Sequence, residues 1–285
     1  MEEQLTADRR QMILVLGMHR SGTSAVTGML AQLGVDPSDH LIPAAEDNPK
    51  GFFEHADIWA ANQDLLQALE SDWDDPAPLP DGWTTTPAAR EAAAKIREVL
   101  RRDFASSHLA VIKDPRICRL MPLWRDILAQ EGYALKVVLA VRAPLDVVAS
   151  LVKRDALCPS EAAGVWLRYQ LEAEANTRGD SRVVVPYESL LHDWRAQARR
   201  IAEALQIVCP RTPDEVAPQI DAFVDPGLQH HRHIPHTAGS DEPLEPPLAD
   251  WLEAAHAALT HRDRIDTASL DEVAQNLSQV DAGSA

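Results

Sequence analysis

The chain is poor in cysteine, in basic charge and in long apolar runs, and each shortage argues against a class of protein. Its three cysteines, Cys118, Cys158 and Cys209, are odd in number and far apart, with no C-x-x-C pair. That argues against a disulfide framework or a cysteine zinc centre and favours a reducing compartment. Lysine and arginine number 27 against 44 acidic residues, for a formal net charge of −17. Such a balance disfavours general binding to nucleic acid or anionic membrane, while leaving room for a local basic pocket. The N-terminal MEEQLTADRRQM is polar, and the apolar run after it is too short for a signal or spanning segment. A soluble cytoplasmic protein is expected, without a transmembrane segment.

What is present is an ordinary globular composition, 45% hydrophobic and 25% charged, enough for a sizeable core. Nearly continuous runs of Val, Ile and Leu at 13–17, 109–113, 135–142 and 181–187 read as strands buried on both faces of a parallel sheet. Helical patterns over 22–33, 54–70, 88–105, 120–130, 144–155, 160–177 and 188–205 alternate with them. The expected fold is therefore α/β, a three-layer sandwich around a central parallel sheet. We read residues 1–285 as a single domain. The first crossover, from about 18 to 108, is too long for one helix, so 48–108 is expected to form a helical and loop insertion over the strands' C-terminal edge. Within it, SDWDDPAPLPDGWTTTP (71–87) reads as an irregular loop. The stretch GSDEPLEPPL marks a linker, with 239–285 a C-terminal helical extension.

The first strand ends in GMHRSGTS (17–24), a glycine-containing turn opening into a helix. Successive backbone N–H groups and the helix dipole make such a turn a site for an anion. Gly17 and Gly22 allow the tight backbone, Thr23 and Ser24 offer hydroxyls, and Arg20 adds a cation. A nucleoside-triphosphate loop, G-x-x-x-x-G-K-[ST], would carry lysine where Thr23 stands.

GMHRSGTS resembles the 5′-phosphosulfate loop of the sulfotransferases that use 3′-phosphoadenosine 5′-phosphosulfate (PAPS). A second segment, VVLAVRAPLDVVASLVKR (137–154), is similar to that family's strand ending in Arg, then x-Pro-x-Asp, with Ser eight residues after the Arg. VVVPYESLLHDWRAQARRIAEALQI (183–207) resembles its strand, Tyr-Glu-x-Leu turn and helix. NPKGFFEH and KDPR add likeness to a bacterial sulfotransferase-like group. The resemblance implies a P-loop-type phosphosulfate site at His19, Arg20, Ser21, Gly22, Thr23 and Ser24. It also implies Arg142 and Ser150 on the 3′-phosphate, and Tyr187 against adenine. The family's late basic loop falls near Arg232, although its usual Arg-Lys-Gly is not matched. PAPS is the implied donor, and no metal is expected.

For the chemistry, Glu54 and His55 stand where a helix begins after the N-P-x-G turn, and either can serve as general base. The resemblance favours Glu54. Lys113, directly after the second strand, is placed to cover the bridging or sulfuryl oxygens, and Arg116 to meet a phosphate or an acceptor carboxylate. Plainer readings stand beside these: Arg142 pairing with Asp146, an Asp114–Arg116 turn, Glu54 as a solvated first-turn carboxylate, and Tyr187 as a half-buried strand end. Trp59, Trp73, Trp83 and Trp124 are candidates for an acceptor pocket or for core. Histidines 230, 231, 233 and 236 lack a metal-ligand spacing. The function implied is sulfuryl transfer to a hydroxyl or amine of a small-molecule, lipid or carbohydrate acceptor. A small-molecule kinase and a non-catalytic protein on the same fold are the alternatives.

Overall fold

The computed structural model describes residues 9–45, 48–224, 244, 246–261 and 264–283. Four strands, β1 (Gln11–Leu16), β2 (Leu109–Lys113), β3 (Ala134–Val141) and β4 (Ser181–Pro186), form one parallel sheet in the order β2-β1-β3-β4. The register pairs Ile13 with Val111, Leu14 with Val137, and Leu139 with Val184. Alternation along each strand sends side chains into two cores. Met12, Leu14, Leu16, Val137 and Leu139 join the larger one. Ile13, Val15, Val138 and Ala140 join the other. Burial on both faces is why these strands read as unbroken apolar runs.

The helices in chain order are α1 (Thr23–Gln32), α2 (Ala56–Ala68), α3 (Pro87–Asp103), α4 (Ile117–Gln130), α5 (Pro144–Asp155) and α6 (Pro159–Ala175). After β4 come α7 (Tyr187–His192), α8 (Trp194–Leu205), α9 (Pro213–Phe223), α10 (Leu248–Leu259) and α11 (Thr267–Gly283). Helices α2, α3, α4, α6, α10 and α11 cover the larger core, and α1, α8 and α9 cover the smaller. The result is the expected three-layer α/β/α sandwich with a P-loop-type turn after β1. Among the described residues no helix is long and apolar enough to cross a membrane.

The pattern over 188–205 suggests one helix, but two form. Asp193 breaks it at φ −150°, ψ 82°, and its side chain accepts from the N–H of Ala196 at 2.9 Å. A short acidic side chain gains more by capping a new N-terminus than by continuing a helix.

The loop over 71–77 lacks regular structure yet is held from beneath. The guanidinium of Arg119, 1% exposed, donates to Ser71 Oγ, to the carbonyl of Asp75 at 2.9 Å and to that of Ala77. Arg168 donates to the Pro76 carbonyl at 2.7 Å, and the Tyr169 hydroxyl to that of Trp73 at 2.8 Å. Buried arginines from α4 and α6 thus supply the donors that an irregular backbone lacks.

Candidate active site

β1 delivers the chain to the sheet's C-terminal edge, where a cleft of roughly 680 Å³ opens. Gly17 lies so close to β3 that a Cβ on it would stand 2.4 Å from the Ala140 carbonyl oxygen. Its N–H donates to Cys118 Sγ at 3.1 Å. Burial pushes the Cys118 thiol up to about 12, so the sulfur remains protonated and serves as packing. Arg20 and Gly22 both take positive φ, 68° and 86°. α1 then starts at Thr23 with no capping side chain and no acidic residue in its first turn. Its leading N–H groups and the positive end of its dipole form a site for an anion.

Two distant segments complete the cradle. Arg20 Nε donates to Ser150 Oγ on α5 at 2.9 Å. Arg142, at the end of β3, donates to the Arg20 carbonyl at 3.3 Å and sits 3.3 Å from the Asp146 carboxylate. The plain helix-start ion pair is therefore real, but it occupies one nitrogen only, and Arg142 Nε is buried with no partner. The ring of Tyr187 lies 5.1 Å below the same guanidinium and packs on Gly22. His19 Nε2 and Ser21 Oγ are likewise buried and unpartnered. Buried polar atoms without a protein partner call for a ligand or water.

Deeper in the cleft, Lys113 Nζ donates to Glu54 Oε1 at 2.5 Å and to the Phe52 carbonyl at 3.1 Å. Burial pushes the Glu54 carboxyl above its ordinary range against the pull of Lys113, and Asp114 adds to the push. Asp114 itself accepts from Asn62 Nδ2 at 3.0 Å and from the Arg116 backbone and guanidinium at 3.0 and 3.1 Å. The Asp-Pro-x turn thus exists, and it also aims Arg116 into the cleft. His19 is held well below its ordinary range, first by burial and then by the positive field of Arg116, Lys113, Arg154 and Arg20. Its ring is neutral at physiological pH, with Trp73 edge-on at 4.9 Å.

A family model, the sulfotransferase family, matches residues 12–213, more than half of the chain. The chain belongs to the sulfotransferase family. No curated protein matches it. Among solved structures it is similar to the sulfotransferase domain of the Synechococcus PCC 7002 olefin synthase, at 17% identity over 95% of each chain, TM-score 0.48. The sulfotransferase domain from the curacin biosynthetic pathway is 14% identical, covering 94% of this chain and 98% of its own, TM-score 0.44. Sulfotransferase STF9 from Mycobacterium avium is 16% identical, covering 83% and 72%, TM-score 0.43.

In this sulfotransferase the loop residues His19, Arg20, Gly22, Thr23 and Ser24 line one cleft with Glu54, Lys113, Arg142, Ser150 and Tyr187. His55 does not. Its Nε2 meets Asp103 Oδ2 at 2.9 Å, and neither residue is in the cleft lining. Ligand atoms of His40, His55 and Asp57 come within 4.8 Å of one another, the one such group of potential metal ligands among the described residues. Arg102 already pairs with Asp57 at 2.6 Å there. Trp59 and Trp73 line the cleft, whereas Trp83 and Trp124 are buried in the core. Arg232 and histidines 230, 231, 233 and 236 lie outside the described residues.

Sequence reasoning missed Lys153 and Arg154, which line the cleft one turn after Ser150, where the i+3 and i+4 spacing would have placed them. It also missed Asn48, whose amide donates to the Gly51 carbonyl at 2.8 Å and reaches Ser24 Oγ at 3.5 Å. That contact ties the N-P-x-G turn to the phosphate loop.

Proposed function

We propose that the chain moves a sulfuryl group from PAPS to a hydroxyl or amine of a small-molecule, lipid or carbohydrate acceptor. The observation that carries this reading is the pair of buried, unpartnered nitrogens, His19 Nε2 and Arg142 Nε, both on residues of one cleft. They suit a ligand with phosphate-like groups at two separate points. The first-turn N–H groups of α1, with Arg20, Ser21, Thr23 and Ser24, would hold the 5′-phosphosulfate. Arg142 and Ser150 would hold the 3′-phosphate and Tyr187 the adenine. Residues 48–108 would supply the acceptor side, and the free cysteines suit a reducing cytoplasm.

In the transfer step the acceptor oxygen or nitrogen forms a bond to sulfur. The sulfur–oxygen bond to the 5′-phosphate breaks, leaving its electron pair on adenosine 3′,5′-bisphosphate. Glu54 takes the acceptor proton, its pKa raised toward the range where a carboxylate is a useful base. The Lys113 ammonium, 2.5 Å from that carboxylate, offsets negative charge growing on the leaving oxygen. Arg116 and neutral His19 present further donors to the transferring group.

Calorimetry with adenosine 3′,5′-bisphosphate and with magnesium ATP tests the reading. Saturable binding of the bisphosphate with little response to ATP is expected. Failure of the folded protein to bind the bisphosphate contradicts it, and preference for ATP favours the kinase.

A further inference from the structure

The side chain of Gln63, on α2, is not part of the cleft lining, yet it links two residues that are, Arg116 directly and Trp73 through Asp72. Its Oε1 accepts from Arg116 Nε at 2.7 Å. Its Nε2 donates to Asp72 Oδ1 at 2.8 Å. That same carboxylate oxygen accepts the backbone N–H of Trp73 at 2.6 Å. Because guanidinium only donates and carboxylate only accepts, one orientation of the amide satisfies both neighbours. Trp73 presses its ring against His19 of the phosphate loop. Arg116 lies among the charges that act on His19 and on Glu54.

We infer that Gln63 is a positioning residue: it locks the Trp73 wall to Arg116, so that Trp73 shields the sulfuryl end of the cleft from water. The role matters because an activated sulfuryl group reaching water is lost. In that side reaction water forms the new bond to sulfur, the bond to the 5′-phosphate oxygen breaks, and adenosine 3′,5′-bisphosphate, sulfate and a proton released to solvent result. A wall held shut suppresses it. The chemical part rests on the donor proposed above; the mechanical part, the link from Gln63 to Trp73, does not.

The test uses the full chain with PAPS alone as probe, together with amide hydrogen exchange at Trp73. In Gln63→Glu the contact to Arg116 survives, but a carboxylate now faces Asp72. Acceptor-free PAPS hydrolysis should rise severalfold, where general damage would lower it. Exchange at the Trp73 amide should quicken about tenfold, the size of one lost hydrogen bond to a charged group. Asp72→Asn keeps an accepting oxygen and should behave as the parent. Combined with Gln63→Glu it removes the repulsion and should return both readouts toward the parent. Gln63→Leu, which removes both contacts, serves if Gln63→Glu does not fold. Unchanged exchange in the Gln63 variants, or no rescue in the double variant, overturns the inference. If neither the parent nor Gln63→Glu consumes PAPS but the exchange pattern holds, the bridge stands and the donor assignment falls.

Discussion

The ring of Tyr187 lies so close on Gly22 that a Cβ on the glycine would stand 2.3 Å from the ring's Cδ2. Gly22 also takes a φ of 86°, which L side chains avoid at about 1–2 kcal/mol. The phosphate loop and the start of α7 are therefore matched through the absence of one methyl group. Gly22→Ala should lower Tm by roughly 5 °C, measured by thermal melting. Adding Tyr187→Ala should recover the part due to the clash and leave the part due to φ.

Arg142 donates to the backbone of Arg20, pairs with Asp146 and keeps one buried nitrogen unpartnered. If that nitrogen serves a 3′-phosphate, Arg142→Ala should weaken adenosine 3′,5′-bisphosphate binding by about 2 kcal/mol, close to thirtyfold. Asp146 is partly exposed, so its pairing is weak. Asp146→Ala should leave the affinity nearly unchanged by the same calorimetry, which separates a ligand site from an ordinary helix-start pair.

Glu54 and Lys113 form a buried pair in which burial pushes the carboxyl up and the ammonium pulls it down. A base must be ionised, so the rate should be full at high pH and fall as pH drops through the raised value, above the ordinary 4.5. Glu54→Gln should lower transfer on the order of a hundredfold or more and abolish that limb of the kcat/KM profile. Lys113→Gln removes the downward pull, so its limb should move to higher pH.

His55 and Asp103 lie away from the cleft, and their contact is structural. Hydrogen bonds from Arg102 and His55 bring the Asp103 carboxyl down to about 2 from an ordinary 3.8. Stability from that depression is present above 3.8 and is lost as pH falls toward about 2. Asp103→Asn should therefore melt below the parent at neutral pH, with the gap closing through that acid window. His55→Gln should cost stability while leaving the transfer rate nearly intact, in contrast to Glu54→Gln.

The strands were legible because burial on both faces leaves a local mark, an unbroken apolar run at each of β1 to β4. The loop at 17–24 was legible because its glycines, arginine and hydroxyls are contiguous. Family likeness implied a shared role for Arg142 and Ser150, but the bond from Arg20 to Ser150, 130 residues away, was not foreseen. Nothing local shows that Arg119 and Arg168 grip the loop over 71–77, because a buried arginine and a solvated one look alike in sequence. His55 shows the same limit: it adjoins Glu54 in the chain, yet it meets Asp103 outside the cleft while Glu54 meets Lys113 within it. The break at Asp193 was missed because the helical periodicity continues across it.

If this cleft serves sulfuryl transfer, it binds the nucleotide left after the transfer. Calorimetric titration of the folded chain with adenosine 3′,5′-bisphosphate tests it most directly. One saturable site, lost or severely weakened in Arg142→Ala, is the predicted result. No heat of binding in a chain that melts cooperatively, or equal affinity in parent and Arg142→Ala, would contradict it.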